Sequence, residues 1–428
     1  LLFCVYFSRY GCAIPKEQGF MSKRIYMDYN ATTPLDPRVR EVFIRELDQY
    51  ANGSSMHEDG RRVAKDMFTA REHVAALINA TPGEIIFTSG GSESNNTVFN
   101  TMTSAALTRT SSLKAAYAGR KTVITSSIEH PCVMESAKRL ESLGFDVHYL
   151  PVDGDGVVDM ARYRELLGRF ERSGDVAEKP LLVSIMMANN EIGTIQDIAT
   201  LARLAHEAGA LFHTDAVQAA GKIPVDVVAL GVDYLTLSCH KIYGPKGVGA
   251  LYVRKGVPVE PFIRGGHQEA GLRAGTYNSP SIVAFGEASR LAKEGLANYE
   301  LRVRALRNRL RDGFIAAVPD IRINGHPEKV LPNTLDVSFP GAEGEAILLM
   351  LDILGVSVST GSACASGSLE PSHVLMATGV GPELAHGSIR FSLGQYSTEE
   401  DVDYLLKEVP QVIKKLRGFS TVSSKEHV

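Results

Sequence analysis

Through the first two-thirds of the chain, short apolar blocks of strand character alternate with amphipathic stretches of helical spacing, and this alternation restricts the fold more than any other feature. The apolar blocks lie at 84–88, 122–126, 147–150, 181–187, 211–213, 234–237 and 250–253. Such a rhythm predicts an α/β fold with a large, mainly parallel sheet, and it puts ligand sites at the C-terminal ends of the strands. The intervening stretches carry helix signals. Asp36-Pro37 offers an N-cap and a first-turn proline, after which Val39, Val42, Phe43 and Leu47 recur on one face. Further helices are expected near 60–78 and over 197–207.

From 281 to about 318 the pattern becomes one long charged helix, stopped by Pro319-Asp320 and read as a connector. Beyond it, strands at 335–339, 356–359 and 389–393 and helices at 345–354 and 399–417 predict a second, smaller α+β domain. The 428 residues leave room for both, at about 150 residues per domain. Residues 1–20 carry their charge after the apolar run, the reverse of a secretory signal, and are expected to be leader sequence outside the fold. No apolar run approaches the roughly 18 residues of a membrane span. Lys plus Arg at 45 against Asp plus Glu at 49, with no basic run, excludes nucleic acid and anionic membranes as expected partners and leaves small-molecule chemistry. The five cysteines (Cys4, Cys12, Cys132, Cys239 and Cys364) are widely spaced without a C-x-x-C. Neither a disulfide framework nor a metal site is therefore expected, and a reducing cytoplasm fits.

Two segments point to chemistry. In 84–99 a strand runs into Ser89-Gly90-Gly91-Ser92 and then a helix; the glycines permit close backbone approach, and the N–H groups opening the helix suit a phosphate. An ordinary strand-to-helix turn explains this segment equally well. In the second, Asp215 is expected just past one apolar strand, and Lys241 follows another, inside the cluster Ser238-Cys239-His240-Lys241. An aspartate and a lysine on one sheet edge suit pyridoxal phosphate, the aspartate keeping the pyridine nitrogen protonated and the lysine amine forming the Schiff base. A surface ion pair is the bland alternative.

The motifs YMDYNATTP at 26–34, FTSGGSES at 87–94, EHPCV at 129–133, NNEIGTIQD at 189–197, HTDAVQ at 213–218, SCHKIYGPKG at 238–247, RAGTYN at 273–278, STGSACASGSLEPSHVL at 359–375 and SIRFSLG at 388–394 together resemble the NifS/IscS-type cysteine desulfurases. These belong to the class V aminotransferase group of fold-type I pyridoxal phosphate enzymes, and the resemblance covers 24–417. On that resemblance, 36–297 would be the large cofactor domain, 21–35 with 298–418 the small domain, and 419–428 a polar tail. Lys241 would carry the cofactor and move the substrate α-proton, Asp215 would pair with the pyridine nitrogen, and Gln218 would bond the phenolic oxygen. His130 would stack on the ring and assist proton transfer. Gly91, Ser92, Ser238 and His240 would hold the phosphate, with Thr276 reaching the phosphate of a neighbouring subunit in a homodimer. Asn190 and Arg390 would hold the substrate carboxylate.

Cys364 would be the nucleophile that takes sulfur from L-cysteine, leaving L-alanine, and carries the persulfide to an acceptor such as an iron-sulfur scaffold protein. Its neighbours Gly361, Ser362, Ala363, Ala365, Ser366, Gly367 and Ser368 are all small, which predicts a segment suited to carrying a thiol between sites. The short tail after Arg417 lacks the longer segment with which housekeeping members dock a scaffold. Two alternatives stay open at this level: another class V enzyme (an aminotransferase or a selenocysteine lyase) and a non-catalytic sulfur-assembly subunit. An aminotransferase needs no thiol like Cys364, and an intact Lys241, Asp215, His130 and Cys364 set is more than a scaffold needs.

Overall fold

The computed structural model describes residues 24–107, 117, 119–173, 178–360 and 370–419. Its strands in chain order are β1 Ile25–Tyr26, β2 Ile85–Thr88, β3 Thr122–Ser126, β4 Asp146–Leu150, β5 Pro180–Ser184, β6 Leu211–Asp215, β7 Tyr234–Ser238, β8 Gly249–Val253, β9 Arg322–Asn324, β10 Thr334–Ser338, β11 Val356–Ser357, β12 Ser359–Thr360 and β13 Ser388–Ser392. Seven form one sheet in the order β2-β8-β7-β6-β5-β3-β4. β8 runs antiparallel to both neighbours, and every other pair is parallel. The segment joining β7 to β8 is too short for a crossover helix, so the chain can only turn back on itself.

Alternate residues of each strand feed two apolar layers, as the two-residue period of a strand requires. Ile85, Phe87, Ile124, Val183, Phe212 and Leu235 pack into one layer. Ile86, Val123, Leu182, Leu211, Tyr234 and Leu251 pack into the other. The helix Ser279–Ala317 then leaves this body: Ile282, Phe285 and Ala288 pack in the first layer, whereas Val303, Leu310 and Phe314 belong to a separate core. That second core lies under the antiparallel sheet β12-β13-β10-β9, with Phe314 against Phe339 and Phe391 at ring-centroid distances of 6.2 and 5.2 Å. The first strand joins the same core, β1 pairing parallel with β11.

The expected α/β architecture with a mainly parallel sheet is therefore present, with differences at strand ends. The expected strand 181–187 stops at Ser184, because the Glu129 carboxylate takes the Met186 N–H at 2.9 Å in place of a ladder partner. The strand expected at 211–213 runs on to Asp215, so Asp215 closes β6 instead of following it. The stretch 356–359 is split between two sheets, β11 on β1 and β12 on β13. Among the described residues no helix is long and apolar enough to cross a membrane.

Candidate active site

Because β2, β3, β5, β6 and β7 all point the same way, their C-terminal ends share one edge of the sheet. A cavity of about 320 Å³ opens there, lined by Asn30, Ala31, Gly91, Ser92, His130, Cys132, Met186, Ala188, Asn190, Asp215, Val217, Gln218, Ser238, His240 and Lys241. Gly91 and Ser92 open the helix Gly91–Leu107, so their N–H groups lack intrahelical partners and the helix dipole favours an anion beside them. A Cβ on Gly91 would come within 2.9 Å of Val217 Cγ2, which makes this approach of helix to sheet hard for a larger residue.

Asp215 lines the cavity. Its Oδ2 accepts from Asn95 Nδ2 at 2.7 Å and its Oδ1 from the Val217 N–H at 2.9 Å, so both carboxylate oxygens are held in place. Lys241 ends the 3₁₀ turn Cys239–Lys241 after β7, and its Nζ donates to the carbonyls of Asn30 and Ala31 at 2.5 and 2.8 Å. Gln218 Nε2 donates to the same Asn30 carbonyl at 3.0 Å.

His130 caps the helix Pro131–Ser142, its Nδ1 accepting the Cys132 N–H at 3.2 Å. An Nδ1 that accepts leaves the proton of the neutral ring on Nε2. Burial holds His130 below the ordinary histidine range against the opposing pull of Asp215, with Lys241 adding to the depression. His240 faces Thr32 Oγ1 at 3.1 Å, and burial together with Lys241, Lys246 and Lys222 lowers it to about 4. Cys132 Sγ lies 3.0 Å from His130 Nδ1 and 3.1 Å from Asn95 Nδ2. Burial, reinforced by Asp215, pushes that thiol up to about 12.

The remaining expected site residues lie elsewhere. Arg390 is buried in β13 behind the cavity, donating through Nη1 to the Asn190 carbonyl at 3.0 Å and through Nη2 to Asp28 Oδ1 at 2.9 Å. Thr276 is exposed on a loop tied back to the phosphate-type turn, Arg273 Nε donating to Glu93 Oε1 at 2.9 Å. Cys364 lies outside the described residues. Of the described residues flanking it, Thr360 of β12 pairs with Ile389, and the Ser372 hydroxyl donates to Glu191 Oε2 at 2.5 Å. Sequence reasoning passed over Asn30, Asn95 and Lys222. Asn95 stands one helical turn after Gly91, and Lys222 stands four residues after Gln218, so spacing from an already chosen residue was the available signal for both.

The residues fit pyridoxal phosphate. The cavity has the size of a small-cofactor site, and its lining brings together a held carboxylate, helix N–H groups and the Ser92 and Ser238 hydroxyls for an anion, and a lysine amine. Asn95 Oδ1, buried beside Asp215, has no hydrogen-bond partner among the described residues. Among those residues, no group of three His, Cys, Asp or Glu side chains is placed to hold a metal.

A sequence profile described as aminotransferase class-V matches residues 25–405. The chain is similar to a cysteine desulfurase of Cereibacter sphaeroides, 46% identical over 407 residues that cover 94% of this chain and 99% of that protein. It is also similar to the cysteine desulfurase IscS of Dictyoglomus turgidum, 47% identical over 94% of this chain and 97% of the relative. A solved structure described as a NifS-like protein superposes with a TM-score of 0.81 at 41% identity, covering 92% of this chain and all of that one.

Proposed function

The chain belongs to the aminotransferase class-V family, and from that premise we propose that it is a pyridoxal phosphate-dependent cysteine desulfurase, which turns L-cysteine into L-alanine and leaves the sulfur as a persulfide on Cys364. The observation that carries this reading is Asp215 and Lys241 on adjacent strand ends, facing one cavity with a helix N-terminus on its wall. When bound there, pyridoxal phosphate supplies an electron sink for negative charge at the substrate's α-carbon. Asp215, held by Asn95 and Val217, keeps a proton on the pyridine nitrogen. Gly91, Ser92, Ser238 and His240 hold the phosphate. Lys241 carries the cofactor and moves the α-proton. Near neutral pH, His130 is an uncharged ring that exchanges its proton at Nε2.

Asn190 and Arg390 receive the substrate carboxylate; a guanidinium already oriented by Asp28 and the Asn190 carbonyl offers a fixed fork that a lysine could not. The Cys364 thiolate bonds the substrate sulfur as the Cβ–S bond breaks. The carbon fragment keeps that electron pair, takes up a proton and leaves as alanine, so one thiol and one cysteine become one persulfide and one alanine. We assign 36–297 to a large domain and 298–418, with 21–35, to a small one, a boundary that falls within the helix Ser279–Ala317. We assign the protein to a homodimer in which Thr276 completes the partner's phosphate site, to a reducing compartment such as the cytoplasm, and to delivery of sulfur to an acceptor such as an iron-sulfur scaffold. The test is incubation of the purified, cofactor-loaded protein with L-cysteine, with alanine and sulfide measured. Formation of alanine with one equivalent of sulfur is expected. Failure to form alanine while the cofactor stays bound would refute the reading.

A further inference from the structure

Lys222 is a buried lysine that the reaction above leaves without a task. It lies in the turn after β6 and is 2% exposed. Its Nζ donates to Gln218 Oε1 at 2.6 Å and to Asn30 Oδ1 at 3.2 Å, both amide oxygens. A buried ammonium held by neutral groups is costly, and such placements cluster where charge serves a site. Burial, together with Lys241 of the turn after β7 and Arg390 of β13, lowers Lys222 well below the ordinary ammonium range. His240, from that same turn, also feels its charge.

The two ends of a glutamine amide are told apart by their partners, and a backbone carbonyl can only accept. The end of Gln218 against the Asn30 carbonyl is therefore Nε2, and the end against Lys222 Nζ is the oxygen. One Nε2 hydrogen goes to the Asn30 carbonyl at 3.0 Å, which leaves the second for the cavity that Gln218 lines. Asn30 cannot turn over to compete, because its Nδ2 is committed to the Asn190 carbonyl at 3.1 Å and to Thr334 Oγ1 at 2.8 Å, while Asn333 Nδ2 donates to its Oδ1 at 2.9 Å.

We propose that Lys222 is a positioning residue: it clamps the Gln218 oxygen so that Gln218 presents an N–H donor, never an acceptor, to the phenolic oxygen of the cofactor. This rests on the pyridoxal phosphate reading. A donor on that oxygen stabilises its ionised form and lowers the pH at which the bound cofactor's visible absorbance titrates. The experiment is an absorbance titration of holoenzyme for wild type, Lys222→Met, Lys222→Ala, Gln218→Leu and the Gln218→Leu/Lys222→Met double variant. Either Lys222 variant is expected to raise the midpoint by about one pH unit, and Lys222→Ala serves if the methionine variant does not fold. In the Gln218→Leu background, Lys222→Met is expected to add nothing. An unmoved midpoint in the folded Lys222 variants overturns the proposal, and so does a full further shift in the double variant, which would mean that Lys222 acts without Gln218. Wild-type protein that takes up no pyridoxal phosphate would instead overturn the cofactor reading, and this proposal with it.

Discussion

At the residue scale the sulfur chemistry turns on which thiol can ionise. Cys132 stands in the cavity, yet burial and Asp215 keep it protonated near neutral pH. Cys239 is fully buried, its thiol raised well above the ordinary value by desolvation, and it packs against Gly244. A protonated thiol is a poor nucleophile. Brief alkylation with iodoacetamide at neutral pH is therefore expected to mark Cys364 and spare Cys132 and Cys239, as peptide mass spectrometry would show. In parallel, Cys364→Ser should retain the cofactor yet make no alanine, and Cys132→Ala should keep most of the activity. Loss of activity in Cys132→Ala with Cys364 unreactive would move the nucleophile to Cys132. The pairing of Asp215 with Lys241 was legible in the sequence because each lies close after an apolar run, so both fall on one sheet edge. Asn30 was not, since it meets Gln218 and Lys241 across 188 and 211 residues and by no local pattern. Arg390 could be named, but not its burial or its bond to Asp28, which depend on β13 lying centrally in the second sheet.

At the element scale, the strands were legible because a doubly covered sheet needs continuous apolar runs. Their ends were not, because there polar side chains replace the ladder, as Glu129 does at Met186. β1, β11 and β12, at two residues each, are too short to show any period. The centre of the sheet also carries a charge-sensitive element. His213 of β6 is fully buried, facing Ser184 Oγ of β5 at 2.8 Å and Thr236 Oγ1 of β7 at 3.1 Å, and burial depresses it to about 3. Unfolding returns it to about 6.5. Between those values the unfolded chain binds a proton that the folded one refuses. The contribution of a neutral His213 is thus complete above about pH 6.5 and is lost as the pH falls toward 3, at about 1.4 kcal/mol per pH unit. Replacement by Gln is expected to remove one proton's worth of this acid sensitivity. Denaturant melts of His213→Gln and wild type between pH 4 and 7 would check it, and identical slopes would contradict the assignment.

At the scale of the whole molecule, the site is assembled from parts distant in the chain. The helix Ser279–Ala317 pins two cores together, and Asn30, leading out of the strand that belongs to the second core, reaches over to Lys241 and Gln218 of the first. A shift between the two bodies would therefore be felt directly at Lys241. Thr276 is exposed and does not line the cavity of its own subunit. Beside it Phe262 and Ile263 are 47% and 37% exposed, and the Ile263 carbonyl accepts the Ala274 N–H at 3.1 Å, which fixes these apolar side chains close to Thr276. Apolar surface next to a polar residue with no task in its own subunit is what a shared active site needs, because a closed two-fold pairing buries the first and hands the second to the partner. The protein is accordingly expected to sediment as a dimer. Ile263→Asp should drive it toward monomer and weaken cofactor retention together, whereas Thr276→Val should leave the dimer intact and weaken retention alone. The split between the two variants is the decisive feature, read by sedimentation and by the visible absorbance left after gel filtration. An Ile263→Asp monomer that keeps its cofactor and its full rate of alanine formation would show that each subunit's site is complete without its neighbour.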